Sequence, residues 1–177
     1  MTLDTRRFRN ALAQFATGVT IVTTITPEGE RLGMTISSFN SLSLDPPLVL
    51  FSIVRNANSF TGWQKAERYA INVLNEDQED LSNRFARARG EKWVGQSILT
   101  GKTGVPLLPN AVVAFECEAF GRHDGGDHEI FVGRVVEVHE NMGKRGHPLL
   151  FFGGQYRRLS EREAHGVPDE ASFLQGW

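Results

Sequence analysis

Alternation and periodicity divide the chain into strands, three helical stretches and the turns between them. Phe8, Ala11, Leu12 and Phe15 fall at i, i+3, i+4 and i+7, the stripe of an amphipathic helix, and Gly18 stands where a left-handed C-cap would close it. Val19 to Thr26 is rich in β-branched residues, Pro27-Glu28-Gly29-Glu30 is turn chemistry, and Arg31 to Ile36 can pair back as a hairpin. Pro47 to Ile53 is a nearly continuous apolar run, the pattern of a buried strand. The polar stretch Arg55 to Ser59 leads into a short helix over Phe60 to Ala66, with Asn58 or Ser59 as N-cap.

Tyr69 to Leu74 reads as a strand. Gln78 to Ala88 reads as a helix with Leu81, Phe85 and Ala88 on one face. Residues 90–107, rich in Gly, Lys and Thr, read as a long loop with the reach of a lid. From Ala111 to Arg122, Val113, Phe115 and Cys117 alternate with Glu116 and Glu118. The tight turn Asp124-Gly125-Gly126-Asp127-His128 then returns the chain as a strand from Glu129 to Glu140. Leu149 to Phe152 is a short apolar strand. The tail from Ser160 is polar until Phe173, Leu174 and Trp177, which read as a packing anchor. Strands dominate and pair through hairpins, so the expected architecture is mainly β: a closed or split antiparallel barrel with peripheral helices. No repeat or Pro/Gly-rich linker interrupts the chain, so residues 1–177 read as one domain.

Composition narrows the function classes. The chain has 177 residues, 40% hydrophobic and 23% charged, with a net charge of −2, which argues against non-specific nucleic-acid binding. Cys117 is the only cysteine, so no intrachain disulfide forms. Its neighbours Glu116 and Glu118 would raise the thiol pKa and disfavour a nucleophilic role. Met1 to Asn10 lacks the apolar segment of a signal peptide, and no apolar run approaches the roughly 20 residues of a membrane span, so the expectation is a cytoplasmic protein without membrane contact.

Several chemistries lack their motif. The chain has no G-x-G-x-x-G after a strand, no G-x-x-x-x-G-K-[ST], no H-E-x-x-H and no G-x-S-x-G, and His123 and His128 stand without a third ligand, so no metal site is expected. What remains is a run of small hydroxyls, Thr35, Ser37, Ser38, Ser41, Ser43 and Ser52, followed by Ser59 at a helix start and the basic residues Arg55, Arg84, Arg87, Arg89 and Lys92. Two readings of the hydroxyls stand: they bond their own turn backbone, or they line a polar ligand at the mouth of a barrel. Ser59 is likewise either a plain cap or part of a phosphate site at a helix N-terminus. Arg84 and Arg87 are either a solvated helix face or part of an anion site.

A resemblance separates these readings. Phe15-Ala16-Thr17-Gly18-Val19, Gly33-Met34-Thr35-Ile36-Ser37-Ser38-Phe39, Ser43-Leu44-Asp45-Pro46-Pro47-Leu48 and Tyr69-Ala70-Ile71-Asn72-Val73-Leu74 occur in this order. They are followed by Gly126-Asp127-His128-Glu129-Ile130-Phe131-Val132-Gly133-Arg134-Val135 and by Pro148 to Tyr156. In these segments the chain, from about Phe8 to Leu159, resembles the short-chain flavin reductases, the reductase components of two-component flavin-dependent monooxygenases.

The resemblance implies an FMN-binding type of split β-barrel, a homodimer, FMN or FAD as flavin, and NADH or NADPH as hydride donor. It also implies a separate oxygenase that receives the reduced flavin. By position it implies that Thr35, Ser37 and Ser38 bond the flavin ring edge and ribityl chain. Ser52, Asn58 and Ser59 would continue toward the phosphate, and Arg84, Phe85 and Ala86 would close over the phosphate end. His128 and Tyr156 would lie by the nicotinamide, with His128 as the catalytic candidate. The alternative within the same fold is a flavin-binding or electron-transfer protein without turnover; a pyridoxamine-phosphate-type oxidase is disfavoured by the Gly-Asp-His turn.

Overall fold

The period-two stretches become strands because each has an interior to face. A computed structural model describes residues 3–140, 142 and 146–160. Helix α1 (Thr5–Leu12) is followed by β1 (Thr17–Gly18), β2 (Thr20–Ile25), β3 (Arg31–Ile36), β4 (Asn40–Leu44), β5 (Pro47–Val54), α2 (Phe60–Lys65), β6 (Arg68–Val73) and α3 (Glu79–Ala86). Then come β7 (Leu99–Thr100), β8 (Pro106–Leu107), β9 (Val113–Gly125), β10 (His128–Glu140), β11 (Leu150–Phe152) and β12 (Gln155–Arg157).

Seven strands form one antiparallel sheet in the order β3-β2-β6-β9-β10-β5-β4. Its edge strands, β3 and β4, are consecutive in the chain, so Ser37 to Phe39 draw the two edges together. Val22, Leu32, Ile36, Val49, Phe51, Ile53, Tyr69, Ile71, Cys117 and Phe131 therefore meet in one interior, plugged at one side by Trp63 and Ala66. Phe51 stacks on Phe131 at 5.3 Å and meets Tyr69 edge-on at 5.4 Å. Fully burying side chains of this size contributes roughly 1.5–3 kcal/mol each. This is the split antiparallel barrel expected from the hairpins.

Both tight hairpins form where the glycines stand. Gly29 (φ 84°) turns β2 into β3, and Gly126 (φ 76°) supplies the positive φ that a II′ turn needs at its first position between β9 and β10. The β4–β5 turn runs through Asp45, Pro46 and Pro47, and the Asp45–Pro46 peptide is cis.

Four expectations change in detail. Helix α1 ends at Leu12, and Gly18 pairs with Leu150 in β1 rather than capping the helix, because the Ala13 carbonyl is taken by Gly153 N at 2.9 Å. Helix α3 stops at Ala86: Lys92 Nζ bonds the Phe85 carbonyl at 2.9 Å, and Arg87 is already extended. The 90–107 stretch is only half a loop. Val105, Leu107 and Leu108 are buried against the outer face of the barrel, where Thr23 Oγ1 donates to the Pro106 carbonyl at 2.5 Å and Leu108 N donates to Asn72 Oδ1 at 2.9 Å. Beneath this strap β9 is buried on both faces, so Glu116 is as inaccessible as Cys117. Phe173, Leu174 and Trp177 lie outside the described residues.

A second core forms outside the barrel. Val19, Ile21, Leu74, Phe85, Leu108 and Leu149 are buried there, with Leu81, Trp93, Phe151 and Tyr156 packed against them. It holds α3 and the small sheet β1-β11-β12 against β2 and β6.

Candidate functional site

Where α3 meets the barrel edge, a cavity of about 660 Å³ opens. Three segments wall it: residues 30–35 along β3, Val54 with residues 56–59 after β5, and residues 85–94 after α3. Glycine at position 33 leaves room for its apolar side, since Phe85 and Trp93 close onto it and meet each other edge-on at 4.9 Å. Trp93 Nε1 donates to the Arg31 carbonyl at 2.9 Å, and Asn58 Nδ2 donates to the Ala88 carbonyl at 3.1 Å, tying the lips of the cavity together.

Charge in the wall is unbalanced. Arg31, Arg87, Arg89 and Lys92 stand against Glu30 and Glu91, a local excess of cations on a chain whose net charge is −2. Lys92 bridges β3 and α3, donating to the Gly33 carbonyl at 3.1 Å and the Phe85 carbonyl at 2.9 Å. Its half-buried position lowers its pKa. A cationic recess with an aromatic floor suits an aromatic anion.

The structure brings Thr35, Asn58, Ser59, Phe85 and Ala86 into this wall together. Thr35 Oγ1 donates to the Ser82 carbonyl at 2.7 Å. Ser59 takes the N-cap position of α2 without a capping bond, and its Oγ accepts from Trp63 Nε1 at 3.2 Å. Ser37, Ser38, Ser52 and Arg84 are not part of the wall. Ser37 is exposed. Ser38 Oγ accepts from Ser52 N at 3.0 Å and donates to the Ser52 carbonyl at 3.2 Å, which stitches the β3–β4 link to β5. Arg84 reaches the Val94 carbonyl at 3.5 Å, so it braces the loop that walls the cavity.

Tyr156 approaches from the other side of α3. Its hydroxyl donates to Asn83 Oδ1 at 3.2 Å and accepts from Ser82 Oγ at 2.8 Å, so Ser82 links it to Thr35. His128 opens β10 directly opposite the wall residue Val54, and its Nδ1 lies 2.7 Å from Asp127 Oδ1. That hydrogen bond, with the charge of His128, lowers the Asp127 pKa.

Trp93 was not legible as a site residue. Its signal was the lone indole in a Gly- and Lys-rich stretch, and its partner Gly33 lies far from it in sequence. Cys117 is buried, and burial first, then Glu116, pushes its pKa up to about 12, so it is inert as a nucleophile.

The barrel and the recess define a class: split-barrel proteins with a cationic, aromatic-floored cavity at the barrel edge. Residues 12–160 match the family described as flavin reductase like domain, and the chain belongs to that family. It is 43% identical over 159 residues to FMN reductase (NADH) SmoA of Agrobacterium fabrum (strain C58), covering 90% of this chain and 88% of the relative. It is 40% identical over 175 residues to the flavin-dependent monooxygenase reductase subunit HsaB of Rhodococcus jostii (strain RHA1), covering 97% and 88%. Among solved structures, the Streptomyces globisporus C-1027 NADH:FAD oxidoreductase SgcE6, in complex with NAD and FAD fragments, superposes with a TM-score of 0.84 at 32% identity, covering 93% of this chain and 99% of that one.

Proposed function

We propose that this chain is an NAD(P)H-dependent flavin reductase that supplies reduced FMN or FAD to a separate oxygenase component. Family membership and the names of its relatives support the activity, and two of those names, those of SmoA and SgcE6, specify NADH. The observation that carries the site is the cationic recess floored by Phe85 and Trp93, at one end of which Val54 pairs with His128.

The residues present fit a flavin. Arg87, Arg89 and Lys92 answer the phosphate; Thr35, Asn58 and Ser59 supply small polar contacts; and Ala86 and Gly33 keep the recess open. Ser37, Ser38 and Ser52 extend this polar edge beyond the recess, with the Ser38–Ser52 stitch fixing its backbone. Arg84 holds the closing loop. The bound flavin supplies the hydride acceptor. His128, half-exposed at the hairpin tip, orients the nicotinamide, and its ring is itself oriented by Asp127. Tyr156, bonded to Ser82 and Asn83, borders the same region through Thr35.

The active form is a homodimer. Phe8 and Leu12 on α1, Phe15 just after it, Leu42 and Leu44 on β4, Phe120 on β9, and Val136 and Val138 on β10 are all exposed, and a second copy of the chain would cover them. A cytoplasmic setting fits the need for reduced nicotinamide and the single buried cysteine. Among the described residues no helix is long and apolar enough to cross a membrane.

Steady-state oxidation of NADH and NADPH with FMN, FAD and riboflavin tests the reading. NADH consumption is expected to require added flavin, and riboflavin to need a higher concentration because it lacks the phosphate. No oxidation with any flavin would overturn the assignment, and tight flavin binding without oxidation would favour the non-catalytic alternative.

A further inference from the structure

We propose that Arg55 is a positioning residue for hydride transfer, locking the hairpin tip that carries His128 to the loop that walls the flavin recess. This rests on the reading that His128 faces the nicotinamide. Arg55 directly follows Val54, the wall residue opposite His128, and begins the 55–59 loop.

Every contact Arg55 makes to the tip flanks His128 and none touches its ring. The Arg55 backbone N–H donates to the Asp127 carbonyl at 2.9 Å, and Nε donates to the Gly126 carbonyl at 3.1 Å. Nη1 donates to Glu129 Oε2 at 3.0 Å, and Nη2 donates to Asp124 Oδ1 at 2.7 Å. The guanidinium also sits 5.9 Å from the Phe60 ring centroid. Glu129 is buried and is held in turn by Gln64 Nε2 at 3.2 Å, with Arg122 3.9 Å away.

The tip has reason to need such a lock. Gly125 and Gly126 are the least constrained residues a chain can place beside a catalytic side chain. A planar fork that reaches residues 124, 126 and 129 fixes the tip against twisting and lifting. Lysine, with one flexible point charge, cannot bond all three. Asp124 is largely exposed, and an ion pair so exposed adds little to stability. The Asp124 arm is thus suited to fixing geometry, while the arm to the buried Glu129 also helps to hold the fold.

The test is a double-mutant cycle read by anaerobic stopped-flow reduction of saturating FMN by NADH, with FMN affinity measured alongside. Arg55→Gln is expected to lower the limiting reduction rate about 10-fold, the size of a small misplacement of reacting groups, with FMN affinity nearly unchanged. His128→Ala should slow the same step. Adding Arg55→Gln in the His128→Ala background should change the rate less than about twofold, because the two residues act as one unit. Asp124→Ala, which removes one exposed arm of the fork, should give a smaller loss in the same direction, and Arg55→Lys should not restore the wild-type rate. An unchanged rate in Arg55→Gln, equal effects in both backgrounds, or a loss traced to FMN affinity would overturn the role of Arg55 while leaving His128 in place. An unchanged rate in His128→Ala would instead remove the reading on which the proposal stands, and the proposal with it.

Discussion

Gly33 is a residue whose identity the cavity dictates. A Cβ there would lie 2.6 Å from Phe85 Cδ1 and 3.0 Å from Trp93 Cζ2, and both rings are confined, one by the outer core and the other by its bond to Arg31. Overpacking of this kind typically costs about 1–3 kcal/mol. Gly33→Ala is therefore expected to lower the thermal midpoint and to weaken FMN binding, because Phe85 can move only into the recess. Fluorescence titration of FMN against wild type and variant measures the second effect, and unaltered affinity would show that the recess tolerates the shift. Thr35 and Ser38 were conspicuous in the sequence as hydroxyls, but their partners were not: Thr35 bonds a carbonyl of α3, and Ser38 bonds the backbone of β5. For Ser38 the structure adds a stitch between strands beside the turn-like and ligand-facing readings of the hydroxyl run.

Among the elements, the β7–β8 strap departs furthest from its expected form. Its first turn is anchored on the buried Glu116, which accepts from Lys102 N at 2.8 Å, Thr103 N at 2.7 Å, Thr103 Oγ1 at 2.5 Å and His139 Nε2 at 2.6 Å. Lys102 adds an exposed ion pair to Glu137. Gly101 leaves space for the carboxylate, because a side chain there would sit 2.5 Å from it. Burial by itself would raise the Glu116 pKa; the hydrogen bonds outweigh it and hold the pKa below its ordinary value. The folded state thus favours the ionised form. Its contribution to stability is complete above the ordinary carboxyl pKa of about 4.3 and fades as pH falls through the lower value in the fold. Glu116→Gln should be less stable at neutral pH and should show a flatter loss of stability between neutral and acid pH. Urea unfolding midpoints across that range measure both, and an acid limb identical to wild type would remove Glu116 from the account.

At the scale of the molecule, the proposed homodimer would cover the exposed apolar positions on α1, β4, β9 and β10. Helix α1 buries none of its residues, although Asp4 caps it well, accepting from Arg6 N at 2.8 Å. A helix so short is marginal on its own in water, and in the proposed dimer its Phe8–Leu12 face, with Phe15 just beyond it, gains a surface to lie on. Light scattering after size exclusion is expected to give twice the mass of one chain. The double variant Phe8→Glu with Leu12→Glu should shift the population toward monomer with lower flavin reductase activity per chain. A monomeric wild type at micromolar concentration would overturn the dimer.

The positions of the longer strands, the hairpin turns and the absence of every other nucleotide loop were readable along the chain. Period-two alternation and turn glycines act over a few residues, so local sequence reports them faithfully. The Gly-Asp-His turn and the hydroxyl run were readable for the same reason. Contacts made across the fold were not. Trp93 against Gly33, Lys92 bridging to the Gly33 carbonyl, Glu116 beneath the strap and Arg55 gripping the hairpin tip each join residues separated along the chain. Each pairing depends on which strand lies beside which after the barrel closes. Once Ser37 to Phe39 bring the sheet edges together, β3 faces the end of α3 and β5 faces the Gly126 turn. That closure sets Arg31, Gly33 and Thr35 of β3 against the cations and aromatic rings of residues 85–94, and the recess forms between them.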